Sequence, residues 1–526
     1  MLESAAGISV GRFRPKNGWM LLTGGITLGL SFPPFPFPWL AWVALVPLLK
    51  AWDEAPSWSV ALRRAFFGFL ATFAVAFSWP LFHAMPHVAL ASMNGLVLLP
   101  LWMAIPFGIA WPVKRTLGRA LGFTALIVTY LIMEAALGQG PLALPWPLLA
   151  HTQAEALRYN QFADLTGAPG LTLWVLLLNV TVYSAILNTS NRRRLRLAGL
   201  AVLLGAPLIY GALRVHTLPP AEQTLRMGLI QPGTPPLAWA DLTDLRRIDD
   251  LIAISDSLLL SGDAPGLMVW PETAVPLVSD STTVRETEGR LQAWADTRGV
   301  SLLTGAISVT NTRPGNRAYR NTALLFTPHE PVRSYAKRKL VPFAEHVPFV
   351  NQMPWLRALS VPAGGVSGYE PGGSSTPLQV GPTSVGVMIC LESVFGSLGR
   401  SYAAQEAELL VSITQDGWWG RTAGYRQHLA FTRLRSIETR RAVAQASVSG
   451  TTALILPDGS VPVATDWMER AGLTVEVPLH TTPTFYTTHG DWLNRLAYLG
   501  ALLLLTATAV QRVRDVRRTR SERSYA

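Results

Sequence analysis

Eight apolar runs constrain this chain more than any other feature. They fall near residues 18–33, 36–52, 65–84, 88–112, 120–138, 168–188, 195–213 and 493–511, and most approach the ~20 residues a helix needs to cross a hydrocarbon layer. Lipid satisfies no backbone polar group, so runs of this kind fold there as helices. The composition agrees: 49% hydrophobic and 15% charged residues, with mean hydropathy +0.27, is too apolar for an ordinary soluble protein of this size. The first two runs are short. "SFPPFPFPW" between them reads as a tight turn at interfacial depth, because proline ends helices and Phe and Trp favour that depth. No small-residue cleavage site follows the first run, so it is expected to be a retained span.

The net charge of +11 could point to nucleic acid, but the basic residues lie in short clusters beside the apolar runs, where a membrane protein keeps them. Arg12, Arg14 and Lys16 precede the first run. Lys50, Arg63 and Arg64 lie between the second and third, and Lys114, Arg115 and Arg119 between the fourth and fifth. Arg192, Arg193, Arg194 and Arg196 lie between the sixth and seventh, and six arginines from Arg512 to Arg523 follow the last. Every second loop is basic, and the alternate ones are nearly free of Lys and Arg; Arg158 stands alone in 139–165. With about eight spans, this alternation predicts cytoplasmic termini and an external segment between spans seven and eight.

Residues 214–490 differ in character. Charge rises and the apolar runs shorten to strand length, as in "LRMGLIQ" (225–231), "GLMVWPE" (266–272), "VSLLTGAIS" (300–308), "TSVGVMIC" (383–390) and "AELLVSIT" (407–414). Helical patterns at 240–260, 283–298 and 424–439 alternate with them. Strands apolar on both faces, alternating with helices, imply a layered α/β domain. The expected organisation is a transmembrane domain over 1–213 with seven spans, a catalytic domain over 214–490, and a last helix with a basic tail over 491–526. The Gly- and Pro-rich stretch 361–383 reads as a mobile loop.

The only cysteine of the 526 residues, Cys390, ends the run "SVGVMIC". Glu272 ends "LMVWPE", and Lys337 follows a shorter strand in "VRSYAKRKLVPFAEHVPF". Taken singly, each has an ordinary reading: a small buried hydrophobe, a helix cap, a solvated basic turn. Together, in that chain order beside strands, they describe acyl transfer. The thiolate attacks, a carboxylate moves the proton, and an ammonium neutralises the oxyanion.

"WPET", "YAKRKLVPFAEHVPF" and "CLE" resemble the Glu, Lys, Cys motifs of the nitrilase superfamily. Within it, the membrane frame and the wording K-x-x-L-V-P-F-x-E-x-V-P-F resemble the apolipoprotein N-acyltransferases, as do "LSFPPFPFPWLAWVALVPLL" and "LPWPLLAHTQ". The resemblance implies a nitrilase-like α-β-β-α sandwich carried outside a bacterial inner membrane by the helices. It implies Glu272 as general base, Lys337 as stabiliser of the tetrahedral intermediate and Cys390 as the acylated nucleophile. Lys337, and not Lys339, fits the motif because it stands eight positions before Glu345. Glu345 and Glu392 match supporting glutamates. The implied reaction moves a fatty acyl chain from a phospholipid, through a cysteine thioester, to the α-amino group of a diacylglyceryl-cysteine at an apolipoprotein N-terminus. The implied partners are the bilayer and these two substrates, with no nucleic acid, and a monomer is expected.

The chain departs from the family wording at Leu391, at "QDGWWG" (415–420) and at "SVSG" (447–450). Trp418, Trp419 and Trp355 read either as packing or as substrate contacts and lid. Glu134 inside the fifth run reads as structural. His428, Arg433, Arg435 and Glu438 share one helix and are expected to pair with each other or to support a loop. No Gly-rich phosphate loop and no cluster with metal-ligand spacing appears, so no cofactor and no metal is expected. Two other readings use the same residues. One is a membrane-anchored nitrilase-type amidase; the other is a non-catalytic membrane scaffold.

Overall fold

A computed structural model describes residues 15–187, 192–221, 223–241, 246–262, 264–275, 281–313, 316–359 and 368–524. Arg12, Arg14 and the 361–367 part of the expected mobile loop lie outside them. Among the described residues six helices are long and apolar enough to cross a membrane: Trp58–Phe82, Pro86–Leu117, Arg119–Leu137, Ala168–Ile186, Arg194–His216 and Trp492–Arg523. The first two apolar runs form shorter pieces. Pro15–Gly29 is one helix, and prolines 33 to 38 divert the chain before the short helices Ala41–Ala44 and Val46–Asp53. Glu134 faces protein, not lipid: its carboxylate accepts from Leu149 N (2.6 Å) and Thr172 Oγ1 (2.6 Å). Both donors belong to neighbouring elements, so the costly buried acid joins the fifth run to the loop and helix after it.

Among the described residues the second region has twelve strands: β1 (Gln223–Gln231), β2 (Leu267–Val269), β3 (Ser301–Arg313), β4 (Asn316–Phe326), β5 (Arg333–Ala336), β6 (Leu378–Val380), β7 (Thr383–Ile389), β8 (Leu409–Thr414), β9 (Ala442–Ser447), β10 (Ala453–Ile455), β11 (Val463–Ala464) and β12 (Ala471–Leu479). They form two six-stranded sheets, ordered β12-β1-β2-β3-β4-β5 and β11-β10-β9-β8-β7-β6. The centre of each is parallel, β1-β2-β3 in one and β7-β8-β9 in the other, and the flanking pairs are antiparallel. Alternation sorts the side chains. Met227, Leu229, Leu267, Val269 and Leu303 face the second sheet. Ile230, Met268, Trp270 and Leu302 face the helices Arg246–Leu260 and Ser281–Arg298. Helices Gly396–Ala403 and Ala423–Thr439 cover the second sheet, completing helix, sheet, sheet, helix layers.

The helix Ala423–Thr439 is buried on nearly every side because the short helix Ala163–Thr166, the loop carrying Trp146 and His151, and the end of the span Trp58–Phe82 pack on its outer face. Gln427 saturates all four of its hydrogen bonds there. Its Oε1 accepts from Trp79 Nε1 (2.9 Å) and Trp146 Nε1 (3.0 Å), and its Nε2 donates to the carbonyls of Pro33 (2.8 Å) and Ala76 (2.9 Å). Asp164, after the fifth run, binds Arg440 at 2.9 Å, Arg214 at 2.7 Å and Tyr210 at 2.7 Å. Of the polar residues expected to share that helix, Arg435 and Glu438 pair with each other (2.9 Å). Arg433 reaches out to Glu155 (3.2 Å), and His428 pairs with Asp416.

Candidate active site

Glu272 lies just past β2 on a loop stitched to β3. Gly305 donates its N–H to Pro271 O (3.1 Å) and accepts from Val275 N (2.9 Å). A Cβ at Gly305 would sit 2.5 Å from Thr273 N and 2.6 Å from Glu272 Cα, so only glycine allows this approach. Trp239 Nε1 donates to the Glu272 carbonyl (3.1 Å) and Thr273 Oγ1 (3.0 Å). Lys337 follows β5; its N–H donates to Asn321 O and its carbonyl accepts from Gly372 N, both at 2.8 Å. Cys390 directly follows β7 and opens a 3-10 turn with φ +51°, a left-handed conformation uncommon for this residue type; Thr273, beside Glu272, has the same angle.

The three side chains share one polar cluster. Lys337 Nζ donates to Glu345 Oε1 (2.8 Å) and reaches Glu272 Oε1 at 3.5 Å. Asn321 Nδ2 bridges the same two carboxylates, at 2.8 Å to Glu272 and 3.2 Å to Glu345. Glu272 Oε2 accepts from the backbone N–H of Gln415 (3.0 Å), and Glu345 Oε2 from that of Val341 (2.8 Å). Lys337 is almost fully buried, whereas Lys339 points away and lies over the Phe395 ring. Burial raises the Glu272 pKa, against the pull of Lys337, and Glu345 raises it further. Burial would lower that of Lys337, but Glu345 and Glu272 outweigh it and hold the ammonium well above the ordinary lysine value. Burial, then the charge of Glu272, pushes the Cys390 thiol well up. Free Cys390 is therefore held as a thiol, and any attack by its sulfur requires that proton to leave.

Two further groups hold the Cys390 turn. Glu392 is fully buried: Oε2 accepts from Ile389 N (2.8 Å), and Oε1 from Tyr335 OH (2.8 Å), Arg338 N (2.7 Å) and Lys339 N (3.1 Å). It thereby ties the Cys390 turn to the loop after Lys337. His428 Nε2 lies 2.8 Å from Ser393 Oγ and 3.1 Å from the Cys390 carbonyl, while Nδ1 lies 2.7 Å from Asp416 Oδ1. Burial would lower the His428 pKa, but Asp416 outweighs it and raises it. Two of the three departures from family wording meet here, 415–420 and 447–450. Ser449 Oγ bonds Gln415 Oε1 (3.2 Å), and Ser447 Oγ bonds Asp416 Oδ2 (3.3 Å).

Glu272, Lys337, Glu345 and Cys390 open on one cavity of about 390 Å³. Its opposite wall is apolar and comes from the membrane region. Val88, Ala91, Ser92, Gly95, Leu96 and Leu99 form one stripe of the helix Pro86–Leu117, and Phe73 and Phe77 come from the preceding span. Trp418 and Trp419 line the cavity, and Trp419 packs edge-on against Trp79 at 4.8 Å. Trp355 is 66% exposed and stands outside the lining. Asn321, Asp416 and Trp239 were not singled out from the sequence as parts of the site. An asparagine inside the apolar strand "NTALLF" is the one local signal that could have pointed to the first.

Residues 229–485 match the family profile described as carbon-nitrogen hydrolase, and residues 24–181 match the N-terminal domain of apolipoprotein N-acyltransferase. The apolipoprotein N-acyltransferase of Chlorobaculum tepidum is 29% identical over 95% of this chain and 98% of its own. That of Gloeobacter violaceus is 31% identical over 92% of both chains. Among solved structures, an amidase of the nitrilase superfamily from Nesterenkonia aligns at 20% identity over 53% of this chain and 98% of its own, with a TM-score of 0.38.

Proposed function

From a chain that belongs to the apolipoprotein N-acyltransferase family, we infer an inner-membrane acyltransferase that N-acylates apolipoproteins with a fatty acid taken from phospholipid. One observation carries this reading: the Glu, Lys, Cys cluster opens on a cavity whose other wall is a stripe of membrane helix. A small-amide hydrolase has no use for that wall; a fatty chain has.

Cys390 Sγ attacks the ester carbonyl carbon of the phospholipid as Glu272 takes the thiol proton. Lys337 faces the oxyanion that develops, since its ammonium stays charged between the carboxylates. The C–O bond breaks, Glu272 returns the proton to the departing alcohol oxygen, and a lysophospholipid leaves behind a thioester. The α-amino group of the diacylglyceryl-cysteine then attacks the thioester carbonyl, and Glu272 takes the amine proton. The C–S bond breaks, and the proton passes to Cys390 as the amide is released. Glu345 and Glu392 act on position: the first fixes Lys337, and the second fixes the turn that presents Cys390. The sandwich lies on the periplasmic side and both termini in the cytoplasm, a placement supported by the alternation of basic loops. A monomer is the expected state, a reading supported by the residues proposed for both steps lying in one chain.

The test is the intact mass of the purified protein after incubation with phospholipid vesicles. A hydroxylamine-sensitive gain of one fatty acyl group, absent in Cys390→Ala and Cys390→Ser, is the expected result. A folded protein that gains no acyl mass would sink the acyl-enzyme step.

A further inference from the structure

The membrane-side wall of the cavity carries four side chains with polar atoms, and three are already committed. Trp79 Nε1 and Trp146 Nε1 donate to Gln427 (2.9 and 3.0 Å), and Ser92 Oγ donates to Val88 O (2.8 Å) on its own helix. The fourth is His83, on the turn between the spans Trp58–Phe82 and Pro86–Leu117. Its Nδ1 accepts the Met85 N–H at 3.1 Å, which leaves the ring proton on Nε2. The ring is 9% exposed and lies parallel to Trp418, with 3° between planes and 5.6 Å between centroids. Trp418 is held in turn, because its carbonyl accepts the Ala84 N–H at 2.6 Å. Nε2 has no partner among the described residues. Burial pushes the imidazole down to about 4, so at neutral pH the ring is uncharged and offers one donor.

A donor that faces a cavity without a protein partner is free to meet an acceptor supplied by a ligand. The substrates of the proposed reaction offer ester carbonyls and a phosphodiester. The ester that reacts is served by Lys337 on the opposite wall. The phosphodiester cannot settle there, because that wall sets two carboxylates, Glu272 and Glu345, against one ammonium. We propose that His83 donates its Nε2–H to a phosphodiester oxygen of the phospholipid, so that the headgroup is held on the membrane-side wall while the ester carbonyl lies at Cys390. The donor is neutral and the acceptor ionised, an arrangement stronger than a bond between neutral groups. This inference rests on the proposed function.

The experiment uses the full chain in vesicles and follows thioester formation by intact mass against phospholipid mole fraction, for the wild type, His83→Ala and His83→Gln. A second series replaces phospholipid by p-nitrophenyl palmitate, which carries an ester and no phosphate. The expected result for His83→Ala is a rise of about tenfold or more in the half-saturating phospholipid content. The saturated rate and the p-nitrophenyl palmitate reaction stay unchanged, and the amide N–H of His83→Gln recovers part of the loss. Equal losses on both donors would make His83 a support of the wall and overturn the proposal, as would variants that match the wild type on both. A wild type acylated by p-nitrophenyl palmitate but never by phospholipid would remove the proposed function itself, and this inference with it.

Discussion

Glu272 is pulled in opposite directions by its neighbours, and the role proposed for it as a base depends on the balance. Below its pKa it cannot take the Cys390 proton, so acylation falls as pH falls through that value. Burial places the value above the ordinary carboxylate range, so the acid limb of the rate of thioester formation is expected above that range. Glu345→Gln removes a charge that raises the Glu272 pKa and leaves Lys337 to Glu272 alone; both effects move the limb to lower pH. A pH profile with p-nitrophenyl palmitate reads this, and a limb that stays put or rises contradicts it. Lys337→Met is expected to lower kcat by about 10²–10³ through loss of oxyanion stabilisation. The same variant moves the limb the other way, because a charge that favours the carboxylate is gone. Glu272, Lys337 and Cys390 were legible because each is a chemically distinctive residue at the end of a strand. Asn321 was not, because its two acceptors stand 49 and 24 positions away in the chain. Nor was the tie from His428 to the Cys390 carbonyl, which spans 38.

The helix Ala423–Thr439 shows how one element can serve two regions. Gln427 carries a carboxamide, the group that in neutral form can accept two N–H groups and donate two at one point, and its length brings that group to all four partners. Gln427→Leu leaves two indole N–H groups and two carbonyls unpaired and is expected to cost about 2–4 kcal/mol, read as a lower Tm followed by tryptophan fluorescence. Gln427→Glu, of equal size, keeps the acceptors and loses both donors, so it should fail as well; a wild-type Tm in Gln427→Glu would show that the donor side carries nothing. Glu438 sits on the same helix, where burial pushes its pKa up to about 7 even though Arg435 and Ala168 N favour the charged form. The folded state thus keeps a proton that the unfolded chain releases, and stability is lost as pH climbs from the ordinary glutamate range through about 7. Glu438→Gln is expected to flatten the fall of Tm over that window. The position of this helix was legible, but its partners were not, because polar residues at so many positions read as solvated faces. Strand β12 was missed for a related reason. It alternates exposed Thr474 and Glu476 with buried Val475 and Val477, and it pairs with β1 from some 250 residues away.

The molecule has a hydrophobic core without a seam between its membrane and sandwich regions. Trp79, Trp146 and Leu149 belong to the same packed cluster as Phe431, Leu434, Ile389 and Val411. Excised residues 223–490 would expose Phe431 and leave Arg440 without Asp164, so this fragment is expected to aggregate or stay unfolded. Expression and circular dichroism check it, and a soluble, folded fragment would show that the two regions are independent. Hydropathy and loop charge made the membrane region legible as runs, yet not the break of the first two runs into short helices, which depends on prolines 33 to 38 and on packing. The cavity at Cys390, shared by both proposed substrates, sets an order of events. Both lipids must use it in turn, so phospholipid that returns to an acylated enzyme occupies the place of the acceptor. At fixed acceptor, turnover should rise and then fall as phospholipid is added, and the summit should shift upward as acceptor is increased. In a bilayer the donor is the solvent itself. On the proposed mechanism the thioester is then expected to form ahead of the acceptor, and the tempo of lipoprotein maturation to follow how fast new acceptors arrive.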